Sequence, residues 1–128
     1  MRLKDEKEVK KWLRNLPILK RELELKVEFY KDLAGETDGV YGLSRAAEYY
    51  RETIDELREK VDKMMSDIER LLGLLNESER LIMTAKYIRF IRWDFIELHV
   101  FYSRRQSIRI HNEAIKKLVG QEVSDISL

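Results

Sequence analysis

The sequence predicts an all-α protein, with an N-terminal long helical hairpin of coiled-coil type followed by a C-terminal helix-turn-helix. Charged residues make up 38% of its 128 residues and only one proline is present, a composition typical of long solvated helices. Apolar residues recur at three- and four-residue steps through most of the chain. Two capping signals, Asn76 with Glu79 and Ser103 with Gln106, predict the starts of two short helices in the C-terminal part.

The first helical region ends before a glycine-rich stretch at residues 35–43. Its apolar positions follow helical spacing and are Val9, Trp12, Leu16, Leu19, Leu23, Tyr30 and Leu33. Pro17 lies inside this pattern and lacks the N–H that a helix interior needs, so we expect a kink or short break near Asn15. We expect Gly35 to end this region and Ser44 to cap the next helix.

The second helix, from about Ser44 to Leu75, carries the most regular repeat in the chain. Its apolar residues alternate in steps of three and four, which is the a/d pattern of a coiled coil and must be buried by a partner. The first helix could fold back on it as an antiparallel hairpin, which we favour because that partner is already tethered, or a second subunit could pair along it. The residues of this oligomerisation seam are Ile54, Leu57, Val61, Met64, Ile68 and Leu71.

Residues 76–120 form a predicted helix-turn-helix domain, after the hairpin domain at 1–75 and before a polar, flexible tail at 121–128. Asn76 caps its leading helix, a second helix runs from about Trp93 to Val100, and a third runs from about Arg104 to Val119. The net charge is +1, yet residues 76–120 hold 9 basic and 5 acidic side chains, so the basic excess lies in this domain.

The third helix combines a basic first turn with an apolar stripe on the opposite face. Such a helix is suited to present its N-terminal end to an anionic surface, and the DNA major groove is the simplest candidate.

Three segments carry a family resemblance: "LNESERLIMTAKYI", "RWDFIEL" and "YSRRQSIRIHNEAIKKL". They resemble region four of sigma factors, in particular the sigma-like helix-turn-helix of phage-type late transcription regulators of the ArpU/RinA type. The close match covers about a third of the chain. The resemblance implies binding to double-stranded DNA and contact with RNA polymerase. A homodimer is the expected oligomeric state.

By this resemblance, the base-reading positions are Arg104, Arg105 and Arg109, because arginine forms paired hydrogen bonds to guanine. Gln106 is expected to contact adenine or phosphate, and Ile108 a thymine methyl group. Arg89, Arg92, Lys116 and Lys117 are the expected phosphate clamps. Ser103 and Asn112 complete the predicted DNA-binding set.

Three residues depart from the family pattern. Phe101 replaces the usual turn glycine, so the turn must use a conformation that does not need glycine. Ser107 stands at a normally apolar position, and Glu97 at a position where a small residue usually lets the helices approach closely.

Enzymatic, metal-dependent and membrane functions have little support. His99 and His111 are twelve residues apart, outside any metal-ligand spacing, and the chain has no cysteine or phosphate-binding glycine loop. We therefore expect no enzyme activity and no cofactor. With no signal peptide or membrane span evident, the expected location is the cytoplasm.

The sequence thus predicts a sequence-specific DNA-binding transcription regulator of phage or prophage type. Two alternatives remain: a phage packaging or structural DNA-binding protein resembling a small terminase subunit, and a helical interaction module whose degenerate helix-turn-helix does not read DNA.

Overall fold

The computed structural model describes residues 1–36 and 41–126, excluding the side chains of 34–36 and 41–44. The helices are α1 (Glu6–Leu13), α2 (Asn15–Glu36), α3 (Tyr41–Leu72), α4 (Glu77–Met83) and α5 (Arg104–Leu118). A π-helical turn at Thr84–Ile88 continues α4, and a 3-10 helix covers Trp93–Leu98. In these ranges the only β-type pairing is an isolated bridge between Arg2 and Glu122, so the predicted all-α class is confirmed.

The break between α1 and α2 falls at Arg14, one residue from the predicted position. Asp5 begins α1, because its side chain accepts a hydrogen bond from the Glu8 N–H at 2.8 Å. Pro17 lies in the first turn of α2, where the missing N–H leaves no helical bond unmade. The break therefore separates α1 from α2, and α1 packs against both α2 and α5.

Both long helices extend past the glycine signals. Gly35 lies inside α2 and Ser44 inside α3, so the predicted end at Gly35 and cap at Ser44 are wrong. The contact between α2 and α3 is the most extensive in the fold, and such packing outweighs the local preference of a glycine to end a helix. The rest of the predicted glycine loop, residues 37–40, lies outside the described residues.

The heptad seam of α3 is covered within the chain. Met64, Ile68 and Leu71 are almost fully buried against α1, α2 and α5, Ile54 and Leu57 are also buried, and Val61 is partly buried. At the far end of the pair, the rings of Phe29 and Tyr50 lie 5.0 Å apart. The assignment of these six residues to an oligomerisation seam is therefore wrong, because their apolar area is already buried by their own chain.

The main core crosses the predicted boundary between residues 75 and 76. Ala114, Ile115 and Leu118 of α5 belong to the same buried cluster as Trp12 of α1 and Leu71 of α3. A second, smaller cluster lies under the C-terminal helices and consists of Ile82, Ala85, Ile91, Ile96 and Val100. The position of α5 is thus fixed by the hairpin end and α1 as well as by its own module.

The C-terminal segment is also packed, which corrects the expectation of a flexible tail for residues 121–126. Val123 is 5% exposed, and its N–H donates to the Met1 carbonyl at 2.8 Å. Trp12 Nε1 donates to the Ser124 carbonyl at 3.2 Å, and the Ser124 N–H donates to Asp67 Oδ2 at 2.8 Å. The polar sequence of this segment gave no sign that it packs, because backbone groups of the segment form most of these bonds.

Across the described ranges, no helix is both long and apolar enough to span a membrane. Within the same ranges, no group of three or more histidine or acidic side chains is arranged to hold a metal ion.

Candidate nucleic-acid interface

Three hydrogen bonds hold the start of α5. Ser103 Oγ accepts from the Gln106 N–H, and Gln106 Oε1 accepts from the Ser103 N–H, both at 3.1 Å. Glu97 Oε1 accepts from the Arg104 N–H at 2.6 Å. The predicted capping box is therefore present, and Glu97 adds a carboxylate at the positive end of the helix. Glu97 thus ties the 3-10 helix to the first turn of α5.

The two faces of α5 differ sharply in burial. The inner face is buried and consists of Ser107, His111, Ala114, Ile115 and Leu118. The outer face is exposed and carries Arg105, Arg109, Asn112 and Lys116, at steps of four, three and four residues. These steps bring the four side chains into one row along the helix. The row contains three cations and one amide.

Arg105 and Arg109 form no ion pair with any described residue, so their guanidinium groups are available to a partner. The predicted reader Arg104 differs, because its Nη1 lies 3.3 Å from Asp94 Oδ1. Arg92 shares the same carboxylate, with Nη2 3.5 Å from Asp94 Oδ2. Asp94 therefore draws Arg104 and Arg92 together beside the start of α5.

The predicted phosphate clamps fall into two groups. Lys117 Nζ lies 2.7 Å from Oε1 of Glu79, whose side chain is only 4% exposed. Lys117 thus neutralises a buried carboxylate that also accepts the Asn76 N–H, so its ammonium already has a partner within the chain, and its role as a phosphate clamp stays a prediction. Lys116 makes only an exposed pair with Glu113 at 3.3 Å, and Arg89 is exposed on the segment after the π-turn.

The remaining predicted members are mixed in their surroundings. Gln106 is exposed, but its amide is used in the capping box, and Ser103 serves the same cap. Ile108 is half-buried between two surface concavities beside α5. Ser103 and Gln106 lie near the exposed start of α5 as the sequence predicts, and in the structure both cap the helix.

The turn before α5 exposes large apolar side chains. Phe101 is fully exposed, Leu98 is 79% exposed and Phe95 is 51% exposed. Among the described residues, Phe90 is the only non-glycine with positive φ, so Phe101 adopts an ordinary backbone conformation. The predicted second α-helix is a 3-10 helix that ends at Leu98, and this tighter winding turns Phe95 and Leu98 outward.

The Ser107 hydroxyl is buried with no hydrogen-bond partner among the described residues. Such a group loses its water without compensation and lowers stability. Ser107, which stands at a position that is apolar in the family pattern, therefore still packs in the buried face of α5 but lowers stability there.

A cleft of about 490 Å³ lies between α1 and the inner edge of α5. At its floor the Tyr87 hydroxyl lies 2.6 Å from His111 Nε2, and His111 Nδ1 lies 3.1 Å from Asn112 Oδ1. Burial is the main reason that the pKa of His111 is lowered to about 4; the hydrogen bond to Asn112 opposes it, and the Lys10, Lys86 and Arg14 charges each lower the pKa by a smaller amount. Burial also raises the pKa of Tyr87 to about 12.

The neutral histidine satisfies both bonds at once, since Nδ1–H can donate to Asn112 Oδ1 while Nε2 accepts from the Tyr87 hydroxyl. The cleft was not predicted, because Lys10 and Arg14 are about a hundred residues from α5 in sequence. Their four-residue spacing on an amphipathic helix is the only local signal, and it does not identify the opposite wall.

Comparison of the chain with protein-family models, curated proteins and solved structures gave no significant match.

Proposed function

We propose that the protein is a sequence-specific DNA-binding transcription regulator of phage or prophage type that inserts α5 into the major groove. The observation that carries the proposal is the row of Arg105, Arg109, Asn112 and Lys116 on the exposed face of α5. The eleven residue steps from Arg105 to Lys116 span about 16 Å of helix, and the major groove, about 12 Å wide, admits one α-helix. The buried opposite face gives this row a rigid support.

Each member of the row has a DNA contact that suits its chemistry. Arg105 and Arg109 present paired N–H donors for guanine O6 and N7, and Asn112 can pair with adenine N6 and N7. Lys116 is a flexible point charge suited to phosphate. Arg104 and Arg92, which share Asp94, are better suited to a phosphate beside the helix start than to a base.

The partners of this regulator are double-stranded DNA and RNA polymerase, and it acts in the cytoplasm as a homodimer. The dimer surface cannot be the α3 seam, which is buried in one chain. Sedimentation equilibrium of the full chain, with and without duplex, measures whether two copies associate.

The test is selection of the full chain against random duplexes at two salt concentrations, followed by sequencing of the bound fraction. Enrichment of one motif is the expected result, and a symmetric motif indicates two bound copies. Salt-sensitive binding without a motif would contradict sequence-specific regulation and favour a packaging or architectural role.

Arginine variants refine this test. Arg105→Ala should lower affinity for the selected site by about 5- to 150-fold, which corresponds to about 1–3 kcal/mol for a paired guanine contact. It should lower non-specific binding much less. Arg58→Ala is the matched control, because Arg58 is exposed on α3 away from α5. Equal losses of specific and non-specific binding for Arg105→Ala would exclude base reading by Arg105.

One observation favours a second candidate, a protein-interaction module. Phe95, Leu98 and Phe101 expose apolar area together around the turn before α5, and exposed apolar patches commonly mark protein contacts. Failure of the full chain to retain any duplex at low salt would favour this candidate over DNA binding.

A further inference from the structure

The cleft beside α5 is formed mainly by parts of the chain outside the exposed row on α5, and it shares Ile108 and Asn112 with the predicted DNA-binding set. Lys10 of α1 and Arg14, at the break between α1 and α2, lie on one side, and Lys86 of the π-turn lies on another. Phe90 and Trp93 add aromatic walls. Its volume of about 490 Å³ falls within the range of small-molecule sites, about 300–1,000 Å³.

The three cations of the cleft repel one another and are only partly compensated by their surroundings. None of Lys10, Arg14 and Lys86 forms an ion pair with another described residue. Burial lowers the pKa of Lys86, and the charges of Arg14 and Arg92 lower it further, against a smaller effect of Asp94. The Lys86 ammonium also lies 4.8 Å from the centre of the Trp93 ring, a favourable cation–π contact. An anion in the cleft would relieve this repulsion.

The floor of the cleft is polar and ordered. Tyr87, His111 and Asn112 form a hydrogen-bonded chain there, and the Trp93 ring meets the His111 ring edge-on at 5.1 Å. Phe90 stands at the wall with φ of 58°, a conformation that a phenylalanine rarely adopts, and its ring is 41% exposed. Polar groups at the base and rings at the sides suit a ligand with both a charged and a flat part.

We propose that this cleft binds a phosphorylated small molecule of mononucleotide size, with its phosphate between Lys10, Arg14 and Lys86 and its ring against Phe90 and Trp93. The aromatic walls favour a ligand that carries a flat ring over a DNA phosphate, because the bases of a duplex are stacked and cannot lie against Phe90 and Trp93. The proposed phosphate and ring contacts use none of Arg105, Arg109 and Lys116, whereas Asn112 belongs both to the cleft and to the proposed DNA-binding row.

The experiment is titration of the full chain with adenosine 5′-monophosphate, followed by calorimetry and by the NMR signals of the His111 ring and the Trp93 indole. We expect saturable binding that shifts both signals. Adenosine, which lacks the phosphate, and inorganic phosphate, which lacks the ring, should each bind at least about tenfold more weakly, because each forfeits one set of contacts. Equal binding by adenosine would overturn the role of the cations.

Variants locate the site. Arg14→Gln and Lys86→Gln should each weaken binding of the nucleotide about tenfold, because each removes one charge-assisted contact to the phosphate. Arg58→Gln is the control, because Arg58 is exposed on α3 and does not line the cleft, and this variant should bind the nucleotide as the unaltered protein does. Equal affinity in all variants, no saturable binding, or Trp93 and His111 shifts that appear only with duplex DNA would each overturn the proposal.

Discussion

Protonation of His111 should make the fold acid-sensitive between pH 7 and pH 5. The imidazole is buried beside Lys10, Lys86 and Arg14, which lowers its pKa in the folded state to about 4. In the unfolded chain it returns to the ordinary value of 6.5. Between these values the unfolded state binds more protons, so stability falls as the pH falls. The contribution of neutral His111 to the free energy of unfolding is complete above pH 6.5 and is lost as the pH decreases toward 4.

The size of this loss follows from the two pKa values of His111. Between pH 7 and pH 5 the free energy of unfolding should decrease by about 2 kcal/mol on account of this one group. For a chain of this size that corresponds to a fall in Tm of about 8 °C. Other groups also titrate in this range, so the quantity to compare is the difference between the protein and a His111 variant.

The assay is urea unfolding at pH 7 and pH 5 for the unaltered protein, His111→Gln and His99→Gln. Glutamine can still bond to the Tyr87 hydroxyl but does not titrate, so His111→Gln should lose about 2 kcal/mol less than the unaltered protein over this range. His99 is exposed, so His99→Gln should behave like the unaltered protein. The same pH dependence in His111→Gln and the unaltered protein would refute the reasoning.

Three further changes test the packing of α5 and the tail. Ser107→Ala removes a buried hydroxyl without a partner and should raise the free energy of unfolding by about 1 kcal/mol in urea titration, whereas a loss would mean that the hydroxyl has an unseen partner. Lys117→Gln leaves the buried Glu79 carboxylate without its cation and should lower stability by about 1–2 kcal/mol, with exposed Lys116→Gln nearly neutral in the same titration. Removal of residues 121–128 uncovers Trp12 and should lower stability by about 2–4 kcal/mol and red-shift tryptophan emission, and unchanged emission would show that the segment does not pack there.

The local features of the fold were predictable because their signals are short. Ser103 with Gln106 and Asn76 with Glu79 begin their helices as the sequence indicates, since a capping box needs only four residues. The buried face of α5, with His111 and Ala114, also follows from helical spacing alone. The break beside Pro17 is of the same kind.

The sequence did not show which residues, far apart in the chain, contact one another in the fold. The α3 heptad showed that a seam must be covered, and it left open whether the same chain or a second subunit covers it, because the pattern is identical in both cases. Lys117 looked like a surface cation, and only the fold brings it 2.7 Å from Glu79, 38 residues away. The cleft at Lys10 and Lys86 was missed for the same reason.

The proposed DNA surface was predicted in part. Arg105, Arg109, Asn112 and Lys116 lie exposed on α5 as expected from their spacing. The ion pair between Arg104 and Asp94 was not predicted. The 3-10 helix at residues 93–98 sets the direction of the Asp94 side chain, and such a helix has no clear signature in sequence.

The backbone contacts between residues 1–3 and residues 120–123 affect how the protein folds as it is synthesised. Leu3 donates its N–H to the Gln121 carbonyl at 2.9 Å, so this contact cannot form until Gln121 has been synthesised. At about 5–20 residues per second, the roughly 120 residues between them take about 6–24 s to make. The pairing of α2 with α3 spans a much shorter stretch of sequence and can form earlier. Until residue 123 emerges, Trp12 keeps an uncovered side, and a chaperone that binds apolar segments has that interval in which to act.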